Sequence, residues 1–258
     1  MIAMPSVDNG PRGAGALGLE WDGRGSLHVG APGRSIVGLA FDFGGTLDAD
    51  GLSWRDRFRS LWRAREPGVP QERIDAAIDC GDRAVLEHPR ARQLRLADMV
   101  EAHVRAQARV LGADSQSAHA VAEKFWLDAK GALESRRSLL ARLAECVRLA
   151  VVSNGCGNTR VLLAEHGLAD FFEVVVDSTE AGVWKPDGKV FAPVLRAFAC
   201  MPGALAAVGD RIDRDVAAAR SAGVAAILVS PQPPSDWSAG VDAWVSSVAA
   251  LDPEAAAQ

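Results

Sequence analysis

The chain has 258 residues, of which 48% are apolar and 24% are charged, and its formal net charge is −5 at pH 7. This composition supports a sizeable core, either in one domain with an insertion or in two small domains. Because the net charge is negative and the sequence has no basic run, we do not expect nucleic acid as a partner. No segment approaches the roughly 20 apolar residues of a membrane span.

The four cysteines are widely spaced and lack the pattern of a zinc site or a disulfide framework. The first residues of the chain do not combine the basic and apolar segments of a signal peptide. We therefore expect a cytoplasmic protein with reduced thiols.

Residues 1–34 are rich in glycine, contain three prolines and show little hydrophobic periodicity. This composition predicts a flexible amino-terminal tail. Within the tail, the segments 17–21 and 26–29 are compatible with a short hairpin.

Residues 51–134 carry helical patterning without strand signals. Trp54, Phe58, Leu61 and Trp62 are spaced as the apolar face of a first helix. Three further helices are predicted from apolar positions at helical spacing, and they are separated by turn or capping residues. The segment therefore predicts a small all-helical unit.

From residue 135 onward, helical segments alternate with short apolar strands. Strands are predicted at 36–41, 149–152, 172–176, 204–208, 224–229 and 244–245, and helices at 139–147, 159–166, 190–199 and 215–222. This alternation is typical of the α/β class, in which helices cover both faces of a parallel sheet. Because the first strand precedes the helical unit, we expect a core of residues 35–50 and 135–258, interrupted by a helical cap at 51–134.

Four polar elements follow the predicted strands in chain order. Asp42 ends the first strand and precedes a Gly-Gly-Thr turn, Ser153 ends the second, and Lys185 lies in a Trp-Lys-Pro-Asp segment after the third. The fourth strand leads into an acidic segment that contains Asp210 and Asp215. The carboxyl ends of parallel strands share one edge of the sheet, where ligands bind. This ordered set resembles the haloacid dehalogenase (HAD) superfamily.

The resemblance, which covers roughly residues 36–250, implies a Rossmann-like three-layer α/β/α core with a parallel sheet and an inserted helical cap. It implies a Mg²⁺-dependent hydrolase, in most cases a phosphatase that acts on a small phosphorylated metabolite through an aspartyl-phosphate intermediate. It assigns Asp42 and Lys185 as catalytic residues, Thr46, Ser153, Asn154 and Lys185 as phosphate-binding residues, and Asp42, Gly44, Asp210 and Asp215 as metal ligands. The implied partner is a small phosphorylated molecule, bound by a monomer or a homodimer.

One position departs from the family pattern. Phosphatases of the family have a second aspartate two residues after the nucleophile, where it serves as general acid and base, and this chain has Gly44 there. General acid–base help is worth roughly 10²–10⁴-fold in rate. We therefore expect weak activity on alkyl phosphates and better activity on aryl or acyl phosphates. Asp48 and Asp50 are candidate replacement acids, although turn residues are the simpler interpretation.

Other interpretations stay open. Hydrolysis of a C–P or a C–halogen bond is found in HAD branches that lack the second aspartate. The C–P branch needs a well-placed cap lysine, and the C–halogen branch usually lacks the acidic pair Asp210 and Asp215. Alternatively, Gly44 marks a catalytically weak or inactive scaffold with a binding or regulatory role. For cap side chains such as Arg55 and His103, two interpretations are open: contact with the substrate, or an ordinary surface or core position.

Overall fold

The structure of the protein is a computed structural model that describes residues 16–22, 25–30 and 33–254. Its main sheet has seven strands in the order β1-β10-β9-β8-β5-β6-β7, and a second sheet has the order β2-β3-β4. The strands are β1 Ala16–Leu17, β2 Leu19–Trp21, β3 Leu27–Val29, β4 Arg34–Ile36, β5 Gly38–Phe41, β6 Arg148–Ser153, β7 Val174–Asp177, β8 Leu205–Gly209, β9 Ala225–Val229 and β10 Ala243–Val245.

The main sheet is parallel from β10 to β7, and β1 pairs with β10 in the antiparallel sense. Phe41 at the end of β5 lies opposite Val151 of β6 and Val208 of β8, so the three strands end at the same edge. Leu39 and Phe41 pack into one core cluster, while Ala40 packs into another. Since alternate residues of a strand point to opposite faces, the sheet is buried on both sides. The predicted three-layer α/β fold is confirmed.

Eight helices are described, and the first four lie between β5 and β6. The helices are α1 Trp54–Arg65, α2 Gln71–Leu86, α3 Leu96–Leu111, α4 Ser115–Cys146, α5 Thr159–Glu165, α6 Ser178–Ala181, α7 Ala192–Phe198 and α8 Ala217–Ala222. Local signals explain several boundaries. The side chain of Ser53 caps α1, Gly112 ends α3 with a φ of 66°, and the side chain of Asp114 caps α4. None of the described helices is long and apolar enough to cross a membrane.

The prediction of two separate helices between residues 115 and 147 was wrong. A single helix of 32 residues, α4, runs from Ser115 to Cys146 and crosses the expected boundary between cap and core at residues 134 and 135. The segment contains no proline, and a Cβ atom on Gly131 would meet no atom within 4 Å, so nothing interrupts the helix. The division into cap and core therefore stays a proposal, with α4 belonging to both parts.

The prediction of a flexible tail over residues 1–34 was wrong for the part that the structure describes. β2 and β3 form the hairpin that the sequence suggested, and Arg34–Ile36 adds a third strand. Leu27 and Val29 are fully buried, and the indole of Trp21 donates a hydrogen bond to the carbonyl of Leu251. Burial of these apolar side chains anchors the segment to the core. The part of the tail at residues 1–15 lies outside the described residues.

Candidate active site

Asp42, Lys185 and Asp215 meet at the carboxyl edge of the main sheet. The Nζ of Lys185 donates to Oδ1 of Asp42 at 2.5 Å, to Oδ1 of Asp215 at 2.6 Å and to the carbonyl of Val152 at 2.8 Å. These three bonds use all three hydrogens of the ammonium group. The backbone N–H of Asp42 donates to Val208 of the neighbouring strand, which fixes the start of the loop.

The charges in this buried cluster do not balance. Burial raises the pKa of Asp42 to about 7, with Asp215 adding to the effect and Lys185 opposing it. Burial, followed by the nearby Asp42 and Asp215, raises the pKa of Asp210 to about 8. Burial alone would lower the pKa of Lys185, but the carboxylates of Asp215 and Asp42 outweigh that effect and raise it. Three carboxylates therefore share one ammonium group.

A divalent cation fits this arrangement. Oxygen atoms of Asp42, Asp210 and Asp215 all lie within 4.8 Å of one another. Hard carboxylate oxygens are the ligands that Mg²⁺ prefers, and its charge would balance the surplus of negative charge. Gly44, expected to supply a carbonyl ligand, lines the same cavity as Asp42 and Asp210. Its part in metal binding stays a prediction.

The turn Phe43–Leu47 requires glycine at its third position. Gly45 has a φ of 98°, a conformation that L side chains rarely adopt, and a Cβ atom there would lie 2.5 Å from Oδ2 of Asp210. The N–H of Gly45 donates to Oδ1 of Asp48 at 2.6 Å. The Gly-Gly-Thr turn thus lets the backbone approach the acidic cluster closely.

The indole of Trp54 fills the space beside Gly44. A Cβ atom on residue 44 would lie 3.3 Å from both Cδ1 and Nε1 of Trp54. The indole is held there because its Nε1 donates to Oδ2 of Asp48 at 2.6 Å and its ring packs edge-on against Phe125. The sequence placed Trp54 on the apolar face of a helix, but helical spacing alone cannot show which neighbour that face meets.

The two candidate replacement acids have structural partners instead. The buried carboxylate of Asp48 accepts a hydrogen bond from the guanidinium of Arg57 at 3.0 Å, in addition to its bonds from Gly45 and the indole. Asp50 accepts from the guanidinium of Arg136 at 2.7 Å. Both carboxylates are thus engaged in structural contacts, which agrees with the interpretation of Asp48 and Asp50 as turn residues.

Of the expected phosphate-binding residues, Ser153 lines the cavity, whereas the side chains of Asn154 and Thr46 make contacts within the protein. Ser153 lies at the end of β6 and lines the cavity. The side chain of Asn154 accepts from the N–H of Lys185 and donates to its carbonyl, so it holds the loop that carries the lysine. The hydroxyl of Thr46 is fully buried and lies 3.4 Å from Oδ1 of Asp210. That contact favours a bracing role for Thr46 over direct contact with phosphate.

Cys156 lines the same cavity, but burial raises the pKa of its thiol to about 11, with the charge of Asp177 adding to the effect. A thiol with such a pKa carries little thiolate at neutral pH and is a poor nucleophile. Asp42 is therefore the better candidate nucleophile in this cavity.

A family model described as haloacid dehalogenase-like hydrolase matches residues 36–223, which is well over half of the chain. The chain belongs to this family. The match spans the whole cluster, from the strand that ends at Asp42 to the helix that follows Asp215. The family named from the four ordered motifs is thereby confirmed.

Two curated relatives of the chain are named as phosphatases. The phosphoserine phosphatase of Thermus thermophilus is 41% identical over 97 residues, which are 37% of this chain and 36% of the relative. The glyceraldehyde 3-phosphate phosphatase of Methanothermobacter thermautotrophicus is 37% identical over 86 residues, which are 33% of this chain and 38% of the relative. The chain thus matches less than half of the length of either relative.

A solved structure of a dehalogenase with an intermediate complex shares the fold. It has a TM-score of 0.55 and 17% identity, and the likeness covers 85% of this chain and 96% of that chain. At this identity, the likeness concerns the fold and not the reaction.

Proposed function

We propose that this HAD-family protein is a Mg²⁺-dependent phosphohydrolase in which Asp42 attacks phosphorus and forms an aspartyl phosphate. The observation that carries the proposal is the contact of Lys185 with both Asp42 and Asp215, next to Asp210, at the carboxyl edge of a parallel sheet. The metal ion, when bound, would neutralise charge on the phosphoryl group.

Each residue of the cluster has a definite part in the proposal. Asp42 forms a bond to phosphorus while the bond between phosphorus and the ester oxygen breaks, and the electron pair leaves with that oxygen. Lys185 orients Asp42 and stabilises the negative charge of the transferring group. Asp42, Asp210 and Asp215 would hold the cation. Water then attacks phosphorus, and the carboxylate of Asp42 is released.

No side chain at residue 44 can protonate the leaving oxygen, and the indole of Trp54 occupies the adjacent space. The paired carboxylates of Asp48 and Asp50 do not replace the missing acid. The reaction therefore favours leaving groups that depart without a proton, as aryl and acyl phosphates provide.

The test measures phosphate release from 4-nitrophenyl phosphate by the wild type and by Asp42→Asn, with Mg²⁺ and with a chelator. We expect turnover that requires both Mg²⁺ and Asp42, and mass spectrometry should detect a phosphoryl group on the wild type alone. Equal turnover by Asp42→Asn would contradict the proposed nucleophile. An absence of turnover from every ester would favour the binding or regulatory scaffold.

A second candidate is hydrolysis of a carbon–halogen bond. It is favoured by the aromatic ring beside Gly44, since dehalogenases of the resembling branch carry an aromatic residue at that position. The acidic cluster argues against it, because a halide gains nothing from three carboxylates. Ion chromatography of halide released from 2-haloacids, run beside the phosphate assay, separates the two functions.

A further inference from the structure

The cavity above the acidic cluster is much larger than a phosphate group. It has a volume of about 630 Å³, which lies within the range of pockets that enclose whole organic ligands. Asp42 and Lys185 line it on the side of the sheet, and α2 and α3 line it on the side of the cap. The part of the substrate that carries the phosphate therefore has room to be sizeable.

Apolar side chains form a large part of the cap side of this cavity. Ile78, Val85 and Leu86 project from α2, at spacings that place them along one side of the helix, and Met99 projects from α3. Leu86 and Trp184 line the cavity although 56% and 49% of their surfaces are exposed. Large apolar side chains that remain exposed inside a pocket mark a site for an apolar ligand.

Charged groups on the cap side are already paired with one another. The guanidinium of Arg55 lies between the carboxylates of Asp79 and Asp82, and the latter is 3.6 Å away. A cation that is surrounded by carboxylates offers little attraction to an anionic substrate group. A carboxylate on the organic part of the substrate, such as the one in phosphoserine, would find no free partner there.

His103 is engaged on both ring nitrogens. The indole of Trp62 donates to Oε1 of Gln107, so the amide nitrogen of Gln107 is turned toward Nδ1 of His103. That leaves the imidazole proton on Nε2, which donates to Oδ1 of Asp82 at 2.9 Å. The ring therefore presents neither a free donor nor a free acceptor to the cavity.

On the core side, the guanidinium of Arg211 donates to both carboxylate oxygens of Asp213, at 2.8 Å each. Arg214 belongs to the same turn and also lines the cavity. This group carries one surplus positive charge, on the side of the cavity that belongs to the acidic turn. Because these residues belong to or adjoin the turn that carries Asp215, this charge lies on the side of the acidic cluster, where the phosphate is expected, and not on the cap side.

We propose that the cavity binds an aromatic leaving group that is uncharged apart from its phosphate, so that the substrate class is aryl phosphate monoesters. This inference rests on the proposed function. A phenolate leaves with the electron pair of the broken P–O bond and takes its proton later from solvent, so the absent acid at residue 44 and the apolar cavity favour the same class of ester. The water that releases Asp42 gives its hydroxyl to phosphorus and its other proton to solvent.

The test compares 1-naphthyl phosphate with acetyl phosphate, which has no ring, for the wild type, Leu86→Ser and Leu127→Ser. Leu127 is the matched control, because it is 48% exposed on α4 and does not line the cavity. We expect Leu86→Ser to raise the KM for naphthyl phosphate about fivefold or more over the wild type. The KM of this variant for acetyl phosphate should stay within about twofold of the wild-type value. Leu127→Ser should change neither. Equal changes in KM for the two substrates, or no change for either, would overturn the proposal.

A binding measurement separates this inference from the proposed reaction. Calorimetry with wild type and Mg²⁺ compares naphthylmethylphosphonate, which cannot undergo ester hydrolysis, with methylphosphonate. Tighter binding of the aryl compound without hydrolysis of any ester supports the aromatic site and refutes the phosphatase. Hydrolysis of esters with equal binding of the two phosphonates refutes the aromatic site and leaves the phosphatase standing.

Discussion

Residue 44 decides how the centre can handle protons. The backbone of Gly44, at φ −83° and ψ 111°, is acceptable for any L residue, so the absence of a side chain is not dictated by strain. The obstacle is steric, because a Cβ atom there would lie 3.3 Å from Cδ1 and Nε1 of Trp54, which is tighter than ordinary van der Waals contact. We therefore expect that restoring an acid needs a change at both positions.

For this reason we expect Gly44→Asp alone to leave alkyl phosphatase activity unchanged, because its carboxylate cannot enter the space of the indole. The double variant Gly44→Asp/Trp54→Ala should raise that activity by about 100-fold, within the range of general acid catalysis. Phosphate release from glycerol phosphate measures both, with Trp54→Ala alone as the control. A similar gain for Trp54→Ala alone would show that the indole blocks substrate and not an acid.

Lys185 is the second residue whose replacement has a defined outcome. In Lys185→Met, the buried Asp42 and Asp215 lose their shared counterion, which should cost about 3 kcal/mol or more of stability without metal. We expect kcat to fall about 100-fold or more, because the charge that stabilises the transferring group is gone. Chemical unfolding and phosphate release measure the two effects. The exposed Lys189, four residues on, is the control, and a loss as large in Lys189→Met would contradict the assignment.

The residues at strand ends could be predicted from the sequence, whereas Trp54 could not. Asp42 and Asp210 directly follow apolar strands, and Lys185 and Asp215 lie in the segments that follow such strands, so parallel pairing brings all four to one edge. The position of Trp54 depends instead on how α1 packs over the sheet. No local pattern encodes that contact, because it joins two elements of different type.

Among the helices and strands, those with a local apolar pattern were predicted correctly, whereas features that depend on contacts between distant segments were not. Strands β5 to β9 were predicted because each is a short, continuous apolar run between turns. The strand at 244–245 was also predicted, but its pairing with β1 was not, because that pairing joins residues from opposite ends of the chain and β1 has only two residues. The continuity of α4 was missed because residues 139–147 were interpreted as a separate helix of the α/β alternation, although polar residues between two apolar stretches are ordinary on a solvated helix face.

The small sheet β2-β3-β4 is expected to be an integral part of the folded protein. Trp21 is 8% exposed, and its replacement by alanine should lower the free energy of unfolding by about 3–5 kcal/mol, because a large cavity forms and a buried hydrogen bond is lost. Trp237→Ala is the matched control, since 40% of that side chain is exposed. Urea unfolding followed by circular dichroism measures both. An equally small effect of the two substitutions would mean that the segment adds little stability.

At the scale of the whole molecule, the acidic cluster couples folding to pH and to metal. Burial raises the pKa of Asp42 to about 7 and that of Asp210 to about 8, so the folded chain binds protons more tightly than the unfolded chain. Both carboxyls therefore stabilise the metal-free fold below about pH 4, where they are protonated in either state, and that contribution is lost as the pH rises toward 8.

Mg²⁺ should reverse this loss. We expect the gain in Tm on adding Mg²⁺ to be several degrees larger at pH 8 than at pH 5, since a change of 1 kcal/mol shifts Tm by roughly 2–4 °C in a chain of this size. Thermal unfolding with Mg²⁺ and with a chelator measures it. Asp210→Asn should abolish the gain, and the control Asp213→Asn should retain it. A gain that does not vary with pH would contradict the coupling.

Asp42 is proposed to expel the leaving group without a proton donor, and a series of substituted phenyl phosphates tests this mechanism. The series keeps the ring constant while the pKa of the phenol varies, and kcat/KM is measured with Mg²⁺. We expect kcat/KM to fall about tenfold or more for a rise of two in the pKa of the leaving phenol, because negative charge develops on an oxygen that receives no proton. A rate that hardly depends on the phenol would show that the site supplies an acid after all, and would contradict the claim.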